Sequence, residues 1–441
     1  MPIMDYEQQD KTGVRLTKDI IKVPPAPEMI AWLQWEKELL REVWTTEISF
    51  FQLIQIAKNM AKSFTYQCKK VFNDEVLIRK LEEEKFDVGI AEAFTVCGFG
   101  IFELAKIPTT IAATSTVHLD IVAEAIGEPI TPSYVPGARS SAGDQMNFME
   151  RIKIIMGTMF GKVFFRDLFQ GETAAFREKF GLYFKSFEEL FPEVSYVFTN
   201  SNPYLDYPRP MIHKTVPIGG IAVSLDTERN KLSERWNTIL NERNTTVLVS
   251  FGSVAKTVFM PDLYKNSLLT LFESMRETTF IVKYEEERSQ MAAHLPNVHL
   301  SPWLPQKALL ADPRLTVFIT HGGLGSITEL AHLGKPAIII PLFAEQPRNA
   351  DMLAKHGGGI VLTKFDLGKP EKLKETLLKI FNNARFGGLP NLDPYGRQLS
   401  LVQYYFLDVI LVFVATVIVV ICLGIKILRK CVSRLPKVKK D

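Results

Sequence analysis

The chain has 441 residues, 46% of them hydrophobic and 23% charged, and 52 Lys and Arg against 49 Asp and Glu leave a net charge of +3. That length holds two domains of ordinary size plus an appendage, and the composition belongs to a globular protein, not a disordered one. A charge so near balance, with no basic stripes, excludes nucleic acid as a partner.

In chain order, residues 1–220 read as mixed α/β with many aromatics. "FDVGIAEAF" (86–94) predicts a strand and a turn, and "CGFGIFELAKIPTTIAAT" a helix and a second strand. The polar, Pro- and Gly-containing stretch 126–145 predicts a surface loop. Residues 184–200 predict a helix and the strand "VSYVFTN", and the glycines and charges of "PIGGIAVSLDTERN" (217–230) mark a linker. Beyond it, "TVLVSF", "TFIVKY", "TVFITH" and "AIIIPLF" alternate with helical stretches around 261–275, 306–312, 324–334 and 346–356. Unbroken apolar runs suit strands covered on both faces, and βα alternation implies a parallel doubly wound sheet. Two Rossmann-like halves follow, with ligands beyond the strand C-ends.

The four cysteines, Cys68, Cys97, Cys422 and Cys431, match neither C-x-x-C nor zinc spacing. Cys68 and Cys97 either bridge in an oxidising compartment or remain two buried thiols. Near the C-terminus, "VILVFVATVIVVICLGI" (409–425) carries no charge and predicts a membrane-spanning helix over 406–428. Tyr404 and Tyr405 precede it and "RKCVSRLPKVKK" follows, which places the tail in the cytosol and the bulk of the chain opposite. A bulk domain on that side calls for a signal peptide, and "MPIMDYEQQDKTG" has neither a basic n-region nor an apolar h-region. The expectation is therefore a true beginning upstream of Met1.

Chemistry-bearing residues gather at the strand ends of the second half. Gly252 and Ser253 close "TVLVSFGS", and His321, Gly322 and Gly323 close "TVFITHGG" just before a helix. Backbone N–H groups at a helix start favour an anion, glycines let a phosphate approach, and an imidazole can donate to it. The bland alternative is a tight turn. The G-x-G-x-x-G fingerprint is absent, since 323–328 reads Gly-Leu-Gly-Ser-Ile-Thr. Glu329 suits ribose hydroxyls or else a solvated helix face. Trp303 suits a flat base or else packing beside its prolines, and Gln306 adds an amide. Glu345 and Gln346, after a strand, suit sugar hydroxyls.

The run "WLPQKALLADPRLTVFITHGGLGSITELAHLGKPAIIIPLFAEQPRNADML" (303–353) strongly resembles the signature of the UDP-glycosyltransferases, in particular the animal UDP-glucuronosyltransferases. "VSFGSVAKT" and "ARFGGLPNLDPYGRQLS" resemble the same family, so the likeness covers nearly the whole chain. It implies the α/β GT-B fold: an acceptor-binding domain (1–220), a UDP-sugar-binding domain (221–390), a pre-membrane segment (391–405), the membrane helix and a cytosolic tail (429–441). By the same resemblance Trp303 would stack on uracil, Gln306 and Glu329 would hold ribose, and Ser253, His321 and the Gly323 amide would meet the diphosphate. Glu345 and Gln346 would hold the donor sugar. The implied reaction is an inverting transfer of glucuronic acid or glucose to a small lipophilic acceptor, without metal or organic cofactor. The implied partners are the UDP-sugar, that acceptor and the bilayer, with room for a homo-oligomer.

The chain departs from the family pattern in four places. The family's base is a histidine after the first N-terminal strand, and none of the seven histidines here matches it. The supporting carboxylate, usually aspartate, is Glu92 in "IAEAF", and a donor-site aspartate becomes Glu345. "LLKIFNN" runs directly into "ARFGGLPNLDPYG", where relatives carry a longer helical stretch. The alternative reading is thus a catalytically incompetent UDP-sugar-binding membrane protein. Lys437 and Lys439, fifth and third from the end, resemble a dilysine retrieval signal of the endoplasmic reticulum.

Overall fold

The computed structural model describes residues 17, 19–138, 140, 142–226, 228, 230–383 and 394–433. The N-terminal "MPIMDYEQQDKTG", most of "ARFGGLPNLDPYG" and the dilysine tail lie outside the described residues.

The first part opens with three helices, α1 (Pro27–Glu42), α2 (Phe50–Phe72) and α3 (Glu75–Glu83). There follow β1 (Val88–Glu92), α4 (Cys97–Leu104), β2 (Thr109–Thr114), α5 (Asp120–Ala125), α6 (Phe148–Phe180), α7 (Phe187–Glu193), β3 (Tyr196–Thr199) and β4 (Thr215–Pro217). The four strands form one parallel sheet in the order β1-β2-β3-β4. Gly98 exists because α4 crosses β1 closely: a Cβ there would sit 2.7 Å from that of Ala91. The 33-residue α6 is absent from the predicted elements. Gly157, Gly161 and Gly171 weaken its local propensity. An Asn147–Glu150 capping box starts the helix, and Phe164, Leu168 and Phe169 bury it in a core shared with Met60 and Phe64 of α2. Tertiary packing overrides propensity here.

Cys68 at the end of α2 and Cys97 at the start of α4 are bridged. Of the two alternatives left by the sequence, the disulfide is the one found. The predicted surface loop 126–145 is irregular, as expected, but not a surface feature. Glu128, Ser133, Tyr134, Val135, Ser140, Ala142 and Asp144 are all buried. Its polar residues face protein partners instead of water: the Asp144 carboxylate, for example, accepts from Lys355 Nζ at 2.5 Å.

The second part contains α8 (Glu234–Leu240), β5 (Thr245–Ser250), α9 (Asp262–Glu273), β6 (Thr278–Lys283), β7 (Val298–Ser301) and α10 (Gln306–Ala311). It continues through β8 (Leu315–Thr320), α11 (Leu324–Leu333), β9 (Ala337–Ile339), α12 (Gln346–Ala354), β10 (Gly359–Val361) and α13 (Pro370–Asn383). All six strands are parallel, in the order β10-β9-β8-β5-β6-β7. Val247, Val249, Phe280, Val282, Val317 and Ile319 pack on one face beneath α9 and α13. Leu248, Ile281, Phe318 and Ile339 pack on the other, beneath α8, α10, α11 and α12. Both faces are covered, as the unbroken apolar runs required.

Two expected boundaries shift. Val43 and Trp44, inside the expected 1–220 unit, belong to the core of the second sheet. The Trp44 ring meets Phe251 edge-on at 5.1 Å, and Lys364 Nζ donates to the carbonyls of Val43 (3.0 Å) and Thr46 (2.6 Å). The apolar helix begins one residue later and runs further than 406–428: after α14 (Leu401–Tyr404), Phe406 turns the chain at φ 56°, and α15 spans Leu407–Ser433. Within it, Leu407–Lys430 is a 24-residue stretch whose most apolar window has mean hydropathy 3.0 and is nowhere buried against protein. At 1.5 Å per residue it reaches about 36 Å, enough for one membrane span.

Candidate functional site

The second sheet reverses its winding between β5 and β8, the crevice where doubly wound sheets bind ligands. Each of these two strands ends there in a glycine turn. After β5, Gly252 adopts φ 83°, and a Cβ on it would lie 2.6 Å from the His321 ring. After β8 comes His321 itself, then Gly323, the N-cap of α11, whose Cβ would lie 2.7 Å from His321 Nε2. The imidazole is thus clasped between two glycines that leave no room for a side chain. Gly322 between them, at φ 86°, packs under Ile339.

Burial, and secondarily the Lys283 ammonium, hold the His321 pKa down to about 4. The ring is therefore neutral at pH 7 and carries one N–H. Its Nδ1 lies 3.4 Å from Thr320 Oγ1. Ser253 is exposed on the loop after β5.

Trp303 follows β7 and is 72% exposed, so its indole is not a packing residue. Gln306, the first residue of α10, donates through Nε2 to Glu329 Oε2 (2.7 Å) and Ser326 Oγ (3.0 Å). The structure therefore joins the two residues expected at a ribose. Burial raises the Glu329 pKa, while the Gln306 amide opposes that rise. Glu345 is the N-cap of α12. Gln346 is buried, and its Oε1 accepts from the N–H groups of Leu342 (2.8 Å) and Phe343 (3.1 Å). Its amide oxygen thus holds the turn that presents Glu345.

Lys283 was not among the expected site residues. It ends β6, donates from Nζ to the Gly252 carbonyl at 2.5 Å, and lies 5.7 Å from the Trp303 ring centroid. A lone lysine closing the apolar run "TFIVK", at the same sheet edge as the other site residues, was the available signal.

In the first sheet Glu92 closes β1. Its carboxylate accepts from the Ser115 N–H at 3.0 and 3.1 Å, and burial raises its pKa. His118 does not reach toward it as a base; its Nε2 lies 2.6 Å from Glu128 in a buried pair. An open cleft lies between α5, α6 and the stretch carrying Gly137, Ala138, Ser140 and Ala142, with Leu119, Ile121, Ile154 and Phe165 in its apolar wall. The stretch behind that loop is clamped to α12. Arg348 donates from Nε to the Pro136 carbonyl (3.0 Å) and from Nη2 to Asp206 (2.5 Å).

Two parallel sheets clamped through α12, with a ligand crevice at the switch point of the second, define a glycosyltransferase of the GT-B class. The glycotransferase of kitacinnamycin has this fold, at TM-score 0.52 and 16% identity over 75% of each chain. The family model described as "UDP-glucoronosyl and UDP-glucosyl transferase" matches residues 25–386, and the chain belongs to that family. Among its relatives is a Caenorhabditis elegans protein named as a UDP-glucuronosyltransferase, ugt-56, 30% identical over 80% of this chain and 67% of its own length. Mouse (Mus musculus) UDP-glucuronosyltransferase 1A7 is 25% identical over 87% of this chain and 78% of its own. The chain is a glycosyltransferase that takes its sugar from a UDP-sugar donor.

Proposed function

We propose that the chain transfers glucuronic acid or glucose to a small lipophilic acceptor with inversion at the anomeric carbon. The observation that carries this reading is the clasped, neutral His321 at the switch crevice, beside an exposed indole and a joined Gln306–Glu329 pair. Uracil stacks on Trp303, and Glu329 with Gln306 holds the ribose. The diphosphate meets His321, Ser253 and the Gly323 amide at the start of α11, where the helix dipole favours negative charge. Glu345, on the turn that Gln346 holds, takes the donor sugar. The reading calls on no metal or organic cofactor.

The apolar cleft beside α6 receives the acceptor. As the acceptor oxygen attacks the anomeric carbon, the bond to the diphosphate oxygen breaks and UDP leaves with its charge stabilised by His321 and the N–H groups. The acceptor's proton goes to the Glu92 carboxylate, whose pKa burial raises. The α15 span anchors the chain in the endoplasmic reticulum membrane with the two sheets on the lumenal side.

The test separates binding from turnover. His321→Ala should weaken UDP binding by about 1–3 kcal/mol, the range for a hydrogen bond to a charged group. Glu92→Gln should leave UDP binding intact and suppress acceptor-dependent UDP release. Unchanged UDP affinity in the first variant would refute the diphosphate role. No acceptor-dependent release from the unmodified chain, with UDP still bound, would refute the transfer.

A further inference from the structure

We propose that the connection between α1 and α2, residues 43–49, is a strap that positions the diphosphate-binding turn after β5. Donor affinity then depends on residues of the first part; the proposal rests on the donor reading above. The stretch 251–261 between β5 and α9 carries Gly252 and Ser253, and the first part grips it toward both ends. At the near end the Trp44 ring, fully buried, meets Phe251 edge-on at 5.1 Å. Toward the far end the Arg41 guanidinium, in the last turn of α1, lies 4.7 Å from the Phe259 ring centroid. Phe251 immediately precedes Gly252, whose backbone lies so close to the His321 ring that a Cβ would come within 2.6 Å of it. Close-packed interiors transmit strain, so a change beneath Phe251 moves the turn that meets the imidazole.

A second grip reaches the turn of the donor sugar. The buried Lys364 Nζ donates to the carbonyls of Val43 and Thr46 and, at 3.5 Å, to that of Leu342. The Leu342 N–H is one of the two that the Gln346 amide oxygen accepts. One ammonium thus joins the strap to the turn that presents Glu345. A buried charge is costly unless its donors are used, and here they fix the spacing of two segments far apart in sequence. The Trp44 Nε1 has no acceptor among the described residues, so the strap works through the bulk of the ring. Trp44 and Lys364 are positioning residues: they act through Phe251 and Leu342.

The test titrates the full chain in detergent with UDP and, separately, with uridine, which lacks the diphosphate. Trp44→Leu should lower UDP affinity about ten-fold, the value of one hydrogen bond to a charged group. Uridine affinity should stay the same, because Trp303 and the Gln306–Glu329 pair lie on other segments. Trp44→Phe should restore UDP binding. Lys364→Met should give the same split between the two ligands, and it decides the matter if Trp44→Leu does not fold. Leu377→Ala, in α13 of the same core, controls for lost stability and should change neither affinity. Equal losses for UDP and uridine in the strap variants, or the same UDP loss in Leu377→Ala, would overturn the proposal in favour of general packing. Unchanged UDP affinity in both strap variants would overturn it as well. If His321→Ala still weakened UDP in that case, the donor reading would stand without the strap; if it did not, the donor reading itself would fall.

Discussion

The two sheets solve the same packing problem with different completeness, and the difference shows where each half keeps its chemistry. The second sheet has both faces buried, and its site consists of glycine turns at the ends of β5 and β8 plus the starts of α10, α11 and α12. The first sheet covers β1 on one side with α4 and leaves Val88 and Ile90 exposed on the other. Its open cleft lies instead against α5 and the long α6, and one partly buried carboxylate, Glu92, closes β1. A ligand crevice built from consecutive strand ends is compact in sequence. One built from a helix and a loop is assembled from distant segments.

The strongest way to break this contrast is to separate the halves. Arg348→Ala leaves Asp206 without its partner inside the clamp, where both side chains are largely buried. Removing one member of such a pair costs about 3–5 kcal/mol. Chemical denaturation should show that loss, and a change below 1 kcal/mol would mean the halves hold together without the clamp. Within the first half, Cys68→Ser with Cys97→Ser opens a loop of 29 residues. That should lower stability by about 3–4 kcal/mol on chain entropy, with UDP binding retained. If UDP binding failed as well, the two halves would not be independent.

In the second half, Gly252→Ala sets a methyl against His321 at a backbone angle that side chains rarely adopt. UDP-glucose affinity, by calorimetry, should fall by about 1–3 kcal/mol with the loss of the imidazole hydrogen bond. Undiminished affinity would show that the ring is not the ligand. Trp303→Ala should weaken UDP by about 1–3 kcal/mol, the value of a base–aromatic stack. Its melting temperature should not move, because the indole is exposed; a drop in stability without a drop in affinity would restore the packing reading.

A last test sharpens the comparison through pH. Glu172 of α6 is buried, accepts from Thr95 Oγ1 and from the N–H groups of Val96 and Cys97, and burial raises its pKa from 4.5 to about 7. A carboxyl whose folded pKa is raised stabilises the fold while protonated and loses that contribution as pH rises through this window. Stability measured from pH 4.5 to 7 should therefore fall from this cause, and Glu172→Gln should flatten the slope. An unchanged slope would place the titration elsewhere.

By itself the sequence determined the strands and helices of the second half that carry the site, while α8, β7, β10 and α13 went unpredicted. Its strands are short apolar runs, and Gly252, Ser253, Trp303, Gln306, His321, Gly323, Glu329, Glu345 and Gln346 stand in the strand-end loops or on the helices that follow them, where local spacing reveals them. The apolar span of α15 was equally legible, because hydrocarbon imposes one length and one composition. Tertiary structure decided the rest. Nothing local shows that Gln306 reaches Glu329, that Gln346 spends its amide oxygen on the turn beneath Glu345, or that Lys283 completes the crevice. Nor does it show α6, whose glycines argue against a helix until α2 packs on it, or that a Pro- and Gly-rich stretch becomes the buried wedge that Arg348 grips. Those outcomes depend on contacts between residues tens to hundreds of positions apart, whose energies appear only once the chain has brought them together.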